Sequence, residues 1–175
     1  MEHPTPRIHP TARIARNAVV TGDVELGARC TVLFNAVVRG DCAGRIAVGE
    51  NTNIQEGACL HVNVGGETVV GSNVTVGHGA IVHGCTIGDG TLVGMGAIVI
   101  DGARVGKRCL IGAGALVTGT ADIPDGMLAI GSPARAVRPL TPEELAGLEE
   151  SVQEYLQVGD DLVEQGLLVC GGREA

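Results

Sequence analysis

An aliphatic residue recurs every six positions through most of this 175-residue sequence, and this period constrains the fold more than any other feature. The series runs from Ile8 to Val38, from Val48 to Leu60, from Val70 to Val82 and, after a five-residue step, from Ile87 to Ile123. Period six matches neither an α-helix nor an alternating strand. It fits short strands and corners that wind into an all-β solenoid, in which each coil packs only against its neighbours.

A sandwich of short strands is the alternative, but its turn signals would fall about every 8–12 residues. The fixed register therefore favours the solenoid. Phe34 and Tyr155 are the only aromatics and glycine reaches 28, which predicts a core of Val, Ile, Leu and Ala in thin layers. The pattern resembles the hexapeptide-repeat family, and this resemblance implies a left-handed parallel β-helix with three faces per coil.

Composition excludes several kinds of partner. The formal net charge of -8 argues against nucleic acid, whose phosphates would be repelled. Lys and Arg form no cluster suited to a membrane surface, and no mostly apolar run is long enough for a membrane helix. The first ten residues lack the apolar run of a signal segment, and the six cysteines form no CxxC pair. We therefore expect a cytoplasmic protein with mostly reduced cysteines.

Two histidines are predicted to lie side by side. The series is interrupted by two steps of ten residues, from Val38 to Val48 and from Leu60 to Val70. Each step has the length of one repeat unit plus a four-residue loop, so the faces can be counted in threes. Val38, Leu60 and Val82 then share a face in successive coils, and the residues that follow them form a column with a spacing of about 4.8 Å. His61 and His83 in this column could share one metal ion, since imidazole is a common zinc ligand.

The third histidine is predicted to lie on a different face. His78 follows Val76 by two positions, so it projects from another side of the prism and cannot easily reach the same ion within its own chain. A neighbouring subunit could supply it, which implies a threefold assembly with the metal at the subunit boundary. The same count places Glu56 beneath His78 and Gln55 beneath Gly77.

The C-terminal region predicts a helix that packs along the prism. Thr141 is a good N-cap, Pro142 suits the first helical position, and Glu144 completes a capping box. We expect Gly159 to end or kink this helix and residues 161–168 to continue as a second short helix. The predicted organisation is a β-helix over 1–138, a helical segment over 139–169 and a disordered tail over 170–175.

Several motifs go beyond a generic repeat and together resemble the γ-class carbonic anhydrase family over about residues 8–145. They are VVRGD (37–41), NTNIQEG (51–57), LH (60–61), VTVGH (74–78), VHGC (82–85), GMGAIV (94–99) and GSPAR (131–135). The resemblance implies that His61, His78 and His83, drawn from two subunits of a homotrimer, bind zinc or Fe(II). It implies a role for Gln55 in hydrogen bonding to metal-bound water, with Glu56 in place of the family's Asp.

The resemblance also assigns Arg39 and Asp41 to a pair that bridges subunits beside the site. The family's fully active members carry an acidic proton-shuttle loop, for which the segment 62–67 is too short. We therefore expect zinc-dependent interconversion of carbon dioxide and bicarbonate, with slow turnover. A hexapeptide-repeat acyltransferase or thioester enzyme and a non-catalytic metal-binding trimer are the alternatives. Gln55 and Glu56 could also be polar ladder residues, and Arg39 and Asp41 a simple ion pair.

Overall fold

The computed structural model describes residues 4–41 and 43–171, which form a left-handed parallel β-helix closed by one C-terminal helix. The strands build three parallel sheets, one on each face of the prism. The first face contains β1 (Arg7–Ile8), β4 (Val24–Leu26), β7 (Arg45–Val48), β10 (Glu67–Val70), β13 (Thr86–Ile87), β16 (Arg104–Val105) and β19 (Asp122–Ile123).

The second face carries the additions that cap the prism. Its parallel strands are β2 (Arg13–Ala15), β5 (Thr31–Val32), β8 (Asn53–Ile54), β11 (Thr75–Val76), β14 (Leu92–Val93), β17 (Leu110–Ile111) and β20 (Met127–Gly131). Antiparallel strands extend it at both ends, with β21 (Ala134–Pro139) beside β20 and β22 (Leu168–Cys170) beside β2.

The third face holds the two histidines that the sequence places in one column. Its strands are β3 (Val19–Gly22), β6 (Val37–Gly40), β9 (Cys59–His61), β12 (Ile81–His83), β15 (Ile98–Val99) and β18 (Leu116–Val117). Val38 pairs with Leu60, and Leu60 pairs with Val82, so the count of units in threes is confirmed.

The anchors of the six-residue repeat form the core. Val38, Leu60 and Val82 are fully buried and stack in successive coils, and small residues such as Ala58 and Ala80 fill the corners. Burying one such Val or Leu side chain contributes about 1.5–3 kcal/mol. The layered aliphatic core predicted from the sequence is therefore confirmed.

Helix α1 spans Pro142–Glu164 without interruption, so the predicted end or kink at Gly159 and the second short helix are wrong. Gly159 lies where the helix comes closest to the second face, and a side chain there would contact Arg13 and Thr31. The helix ends instead before Gly166, which adopts φ +70°. The N–H of Leu167 bonds to the carbonyl of Leu162, as in a Schellman motif.

The predicted N-terminal signals of the helix are confirmed, because Thr141 and Glu144 form a reciprocal capping box. The predicted tail begins too early, since Cys170 belongs to β22 and the N–H of Gly171 bonds to the carbonyl of Ala12. The remaining tail residues, 172–175, lie outside the described residues, as do residues 1–3 of the predicted β-helix and Cys42 of the predicted loop. Within the described residues, no helix is long and apolar enough to cross a membrane.

Candidate metal centre

His61 and His83 are direct neighbours on the third face. They pair in register between β9 and β12, which brings their ring centroids to 5.0 Å. Nδ1 of His61 lies 3.0 Å from Nε2 of His83. Zinc–imidazole distances are about 2.0–2.1 Å, so one ion could contact both nitrogens.

A carboxylate lies behind each of these two rings. Asp41 Oδ1 is 3.1 Å from Nε2 of His61, and Asp101 Oδ1 is 2.9 Å from Nδ1 of His83. When the outer nitrogen of each ring donates its proton to a carboxylate, the inner nitrogens that face each other carry lone pairs. Two lone pairs at 3.0 Å repel each other unless a cation or a shared proton lies between them. The residues present therefore fit a bound cation.

His78 lies apart from this pair, at the corner that follows the second face. Its Nδ1 is 2.7 Å from Glu56 Oε2, a buried oxygen that has no aligned hydrogen-bond donor. Its Nε2 lies 3.4 Å from the hydroxyl of Tyr155 on α1. Burial and the nearby Glu56 carboxylate raise the pKa of Tyr155 above its ordinary value.

The three predicted ligands do not come together within one chain. Among the described residues, no group of three or more His, Cys, Asp and Glu side chains is placed to hold a metal ion. His61 and His83 lie side by side, and His78 faces another side of the prism, as the face count predicted. A third ligand from another subunit stays a prediction.

Gln55 lies in a buried polar network under α1. It is 4% exposed, and its Nε2 donates to Asn53 Oδ1 at 3.1 Å. Asn53 Nδ2 donates in turn to the hydroxyl of Thr75, which is 3.4 Å from Ser151 on the helix. Asn53 therefore holds the side chain of Gln55, one coil away from the corner that carries His78.

Arg39 and Asp41 form an ion pair within one chain. Asp41 also contacts Nε2 of His61. The Arg39 guanidinium therefore holds the carboxylate that orients the His61 ring. The predicted role of this pair across a subunit boundary stays a prediction.

The sequence reasoning missed Asp101 and Asn63. Asp101 follows β15 and lies one coil above His83, and Asn63 Nδ2 donates to the same Asp101 oxygen at 2.6 Å. The face count contained the signal, because Asp101 follows its anchor, Val99, by two positions at the corner next to the histidine column. The approach of Tyr155 to His78 was not predicted, because it depends on packing that no local pattern encodes.

The segment predicted to be too short for a proton-shuttle loop is short in the structure. The connection between β9 and β10 is a tight turn over 62–66, and Glu67 at its end lies 3.8 Å from Arg45 on the first face. The carboxylate of Glu67 is thus directed toward Arg45 on the first face.

The cavity beside α1 and the buried cysteines lie outside this centre. The cavity has a volume of about 440 Å³ between α1 and the corner of the first and second faces, and it is lined by Asn73, Asp89, Gly90, Lys107, Arg108, Leu145, Leu148, Glu149, Val152 and Gln153. Its lining contains no histidine. Cys85, close to His83 in sequence, packs in the core, where burial raises its pKa to about 12.

Comparison with known proteins gives consistent results along the chain. A family model described as "Bacterial transferase hexapeptide (six repeats)" matches residues 84–119. A "Probable carbonic anhydrase" of Methanocaldococcus jannaschii is 43% identical over 89% of this chain and 97% of its own length. A "Carbonic anhydrase" of Geobacillus kaustophilus is 39% identical over 89% of this chain and 85% of its own.

A solved structure shows the same fold. The crystal structure of a hexapeptide transferase family protein from Anaplasma phagocytophilum superposes with a TM-score of 0.83. It is 38% identical in sequence, and the match covers 89% of this chain and 92% of the other.

Proposed function

We propose that this chain, which belongs to the γ-class carbonic anhydrase family of hexapeptide-repeat proteins, catalyses the reversible hydration of carbon dioxide to bicarbonate. One observation carries the proposal. His61 and His83 face each other at 3.0 Å with a carboxylate behind each ring, an arrangement that suits a shared metal ion. The relatives named carbonic anhydrase supply the reaction, and the enzyme class is a lyase.

The proposed cofactor is zinc, with Fe(II) as the alternative. His61 and His83 of one subunit and His78 of its neighbour would hold it. When bound, such an ion acts as a Lewis acid that brings the pKa of water to about 7. The substrates are small neutral or singly charged molecules. The cytoplasmic location predicted from the sequence stays part of this proposal.

The surrounding side chains would position ligands and substrate. Asp41 and Asp101 accept the outer N–H groups of His61 and His83, which holds each ring in one tautomer. Gln55 is the proposed group that orients the attacking water, and its buried amide is already fixed by Asn53. Glu56 lies 2.7 Å from Nδ1 of His78 and is the proposed acceptor of the proton released on hydration.

The proposed homotrimer is supported by the outward surface of the third face. A column of apolar side chains runs along it beside the histidines: Val19, Val37, Cys59, Ile81, Ile98 and Leu116. Val19 is 47% exposed and Ile81 is 38% exposed in the single chain. Covering this column with a second copy would bury apolar area and bring a foreign His78 to the histidine pair.

Metal content and hydration rate together test the proposal. We expect purified protein loaded with zinc or Fe(II) to hydrate carbon dioxide in stopped-flow assays, and His61→Ala to lose both metal and rate. His9→Ala is the matched control, because His9 is exposed and its ring is hydrogen-bonded, within the described residues, to Thr11 alone. An active His61→Ala variant would contradict the proposal.

Slow proton export is a further part of the proposed mechanism. Because Glu67 is directed toward Arg45, the rate should rise with the concentration of a small buffer such as imidazole at fixed pH. A measurable rate that does not depend on buffer would contradict this limit.

Two other functions have support. The family model and the matched structure carry the word transferase, which favours acyl transfer as the second candidate. Binding of coenzyme A by calorimetry, retained in His61→Ala, would favour it. A non-catalytic metal-binding trimer keeps the same ligands, and full metal loading without hydration by either metal would favour that function.

A further inference from the structure

A three-residue chain of contacts lies behind His83. Asn63 Nδ2 donates to Asp101 Oδ1 at 2.6 Å, and the same oxygen lies 2.9 Å from Nδ1 of His83. The three residues come from three separate segments: the turn 62–66, strand β12 and the corner after β15. Asp101 is therefore held from two sides, although its carboxylate is partly exposed.

The backbone leaves room for this contact. Gly84 follows His83 at φ +58°, and a Cβ atom at that position would collide with Asp101 Oδ1. The N–H of Gly84 donates to the hydroxyl of Thr68 at 2.8 Å, and its carbonyl accepts from Gly102. The absence of a side chain at Gly84 thus leaves the space that Asp101 Oδ1 occupies.

We propose that Asp101, held by Asn63, is the positioning residue for His83, an inference that rests on the proposed metal site. Asp101 accepts the Nδ1 proton of His83, so the Nε2 lone pair is directed toward Nδ1 of His61. The hydrogen bond at one imidazole nitrogen decides which nitrogen is free to bind a metal. Without Asp101 the ring loses both its fixed rotation and its fixed tautomer.

The proposal also gives the short turn 62–66 a role. Asn63 is the residue of this turn that reaches the site, and it does so through its amide N–H rather than through an acid. The neutral amide of Asn63 binds the Asp101 carboxylate and holds it beside Nδ1 of His83. The turn therefore acts in ligand geometry and not in proton transport.

Three variants test the proposal: Asp101→Ala removes the acceptor, Asp101→Asn keeps an acceptor oxygen but removes the charge, and Asn63→Ala removes the holding contact. Asp122→Ala is the control, because Asp122 is an exposed carboxylate on the first face. Zinc affinity is measured by chelator competition, and the Nδ1 of His83 is observed by ¹⁵N NMR in ¹⁵N-histidine-labelled protein. The spectra are taken at about pH 8.5, well above the ordinary histidine pKa.

We expect Asp101→Ala to weaken zinc binding roughly 10- to 100-fold and to shift the His83 Nδ1 signal away from its protonated position. Asp101→Asn should keep that signal and lose less affinity, and Asn63→Ala should have the smallest effect of the three. Asp122→Ala should match the unmodified protein. Unchanged affinity in Asp101→Ala would overturn the proposal, and so would reduced affinity with the Nδ1 signal unchanged.

The outcome is separable from that of the proposed function. If neither metal supports hydration but Asp101→Ala loses zinc and shifts the Nδ1 signal, the positioning role stands and the proposed reaction fails. If hydration is normal and Asp101→Ala behaves like Asp122→Ala, the positioning role fails and the reaction stands.

Discussion

Outward side chains of the second face are polar and buried over its first coils, whereas those of the third face are apolar and partly exposed. The second-face column begins with Arg13, Thr31, Asn53 and Thr75, each at most 3% exposed. Helix α1 covers β5, β8 and β11, and Asp160 pairs with Arg13. On the third face the corresponding positions include Val19 and Ile81, whose apolar side chains need no hydrogen-bond partner.

The contrast shows how each face is completed. The second face uses the chain's own helix, so its polar groups are hydrogen-bonded and buried in the single chain. The third face carries the apolar column and, at its edge, the histidine pair for which we propose a third ligand from another subunit. We therefore expect subunit assembly and metal binding to be one event on the third face.

A charge on the third face should have the largest effect. Ile81→Asp would bury an unpaired carboxylate in the proposed interface, which is strongly unfavourable. We expect the trimer to dissociate to monomers by sedimentation velocity and bound zinc to be lost with it. The matched control on the first face, Thr86→Asp, should leave both unchanged. A trimeric Ile81→Asp would show that the apolar column is not the interface.

Removing a polar group from the second face should cost stability and leave assembly intact. Asn53→Ala deprives the buried Gln55 Nε2 of its acceptor and the Thr75 hydroxyl of its donor. An unsatisfied buried group costs about 1–3 kcal/mol. Urea denaturation should show a loss of that size, while sedimentation still gives a trimer. Dissociation of this variant would remove the distinction between the two faces.

The cap of the covering helix should have a smaller effect. Thr141→Ala removes the side-chain oxygen that accepts the N–H of Glu144 at 3.2 Å. Loss of such an N-cap costs about 1 kcal/mol. Thr141→Ser, which keeps the hydroxyl, should restore most of the stability in the same urea assay. Equal stability of the Ala and Ser variants would argue against the capping role.

The smallest effect concerns low pH. Hydrogen bonds from Arg138 and the Thr141 backbone N–H lower the pKa of Glu144 to about 2. A lowered folded-state pKa contributes stability above the ordinary value of 4.5, and this contribution is lost as pH falls toward 2. The difference in unfolding free energy between the unmodified protein and Glu144→Gln should therefore shrink across this interval. A difference that does not change with pH would contradict this assignment.

Much of the fold could be predicted because the solenoid is local. Each anchor fixes its face through the period alone, and the capping box is a four-residue signal. Gly159 was misread, since its role depends on how closely the helix approaches Arg13 and Thr31, which no local pattern encodes. Likewise the placement of His61 beside His83 followed from counting units. The contacts of Asp101 and Tyr155 depend on side-chain reach across coils and on helix packing.

Mixing two defective variants tests the shared site most directly. His61→Ala and His78→Ala, each purified alone, should bind little zinc because every site lacks one ligand. When the two variants are unfolded together in equal amounts and refolded, their chains should assort at random into trimers. An intact site needs a His78→Ala chain, which supplies His61 and His83, beside a His61→Ala chain, which supplies His78. About a quarter of the sites should therefore regain zinc. Bound zinc, measured by elemental analysis, and the hydration rate should recover together. A mixture that binds no more zinc than its components, or a His78→Ala protein with full zinc, would contradict a site shared between subunits.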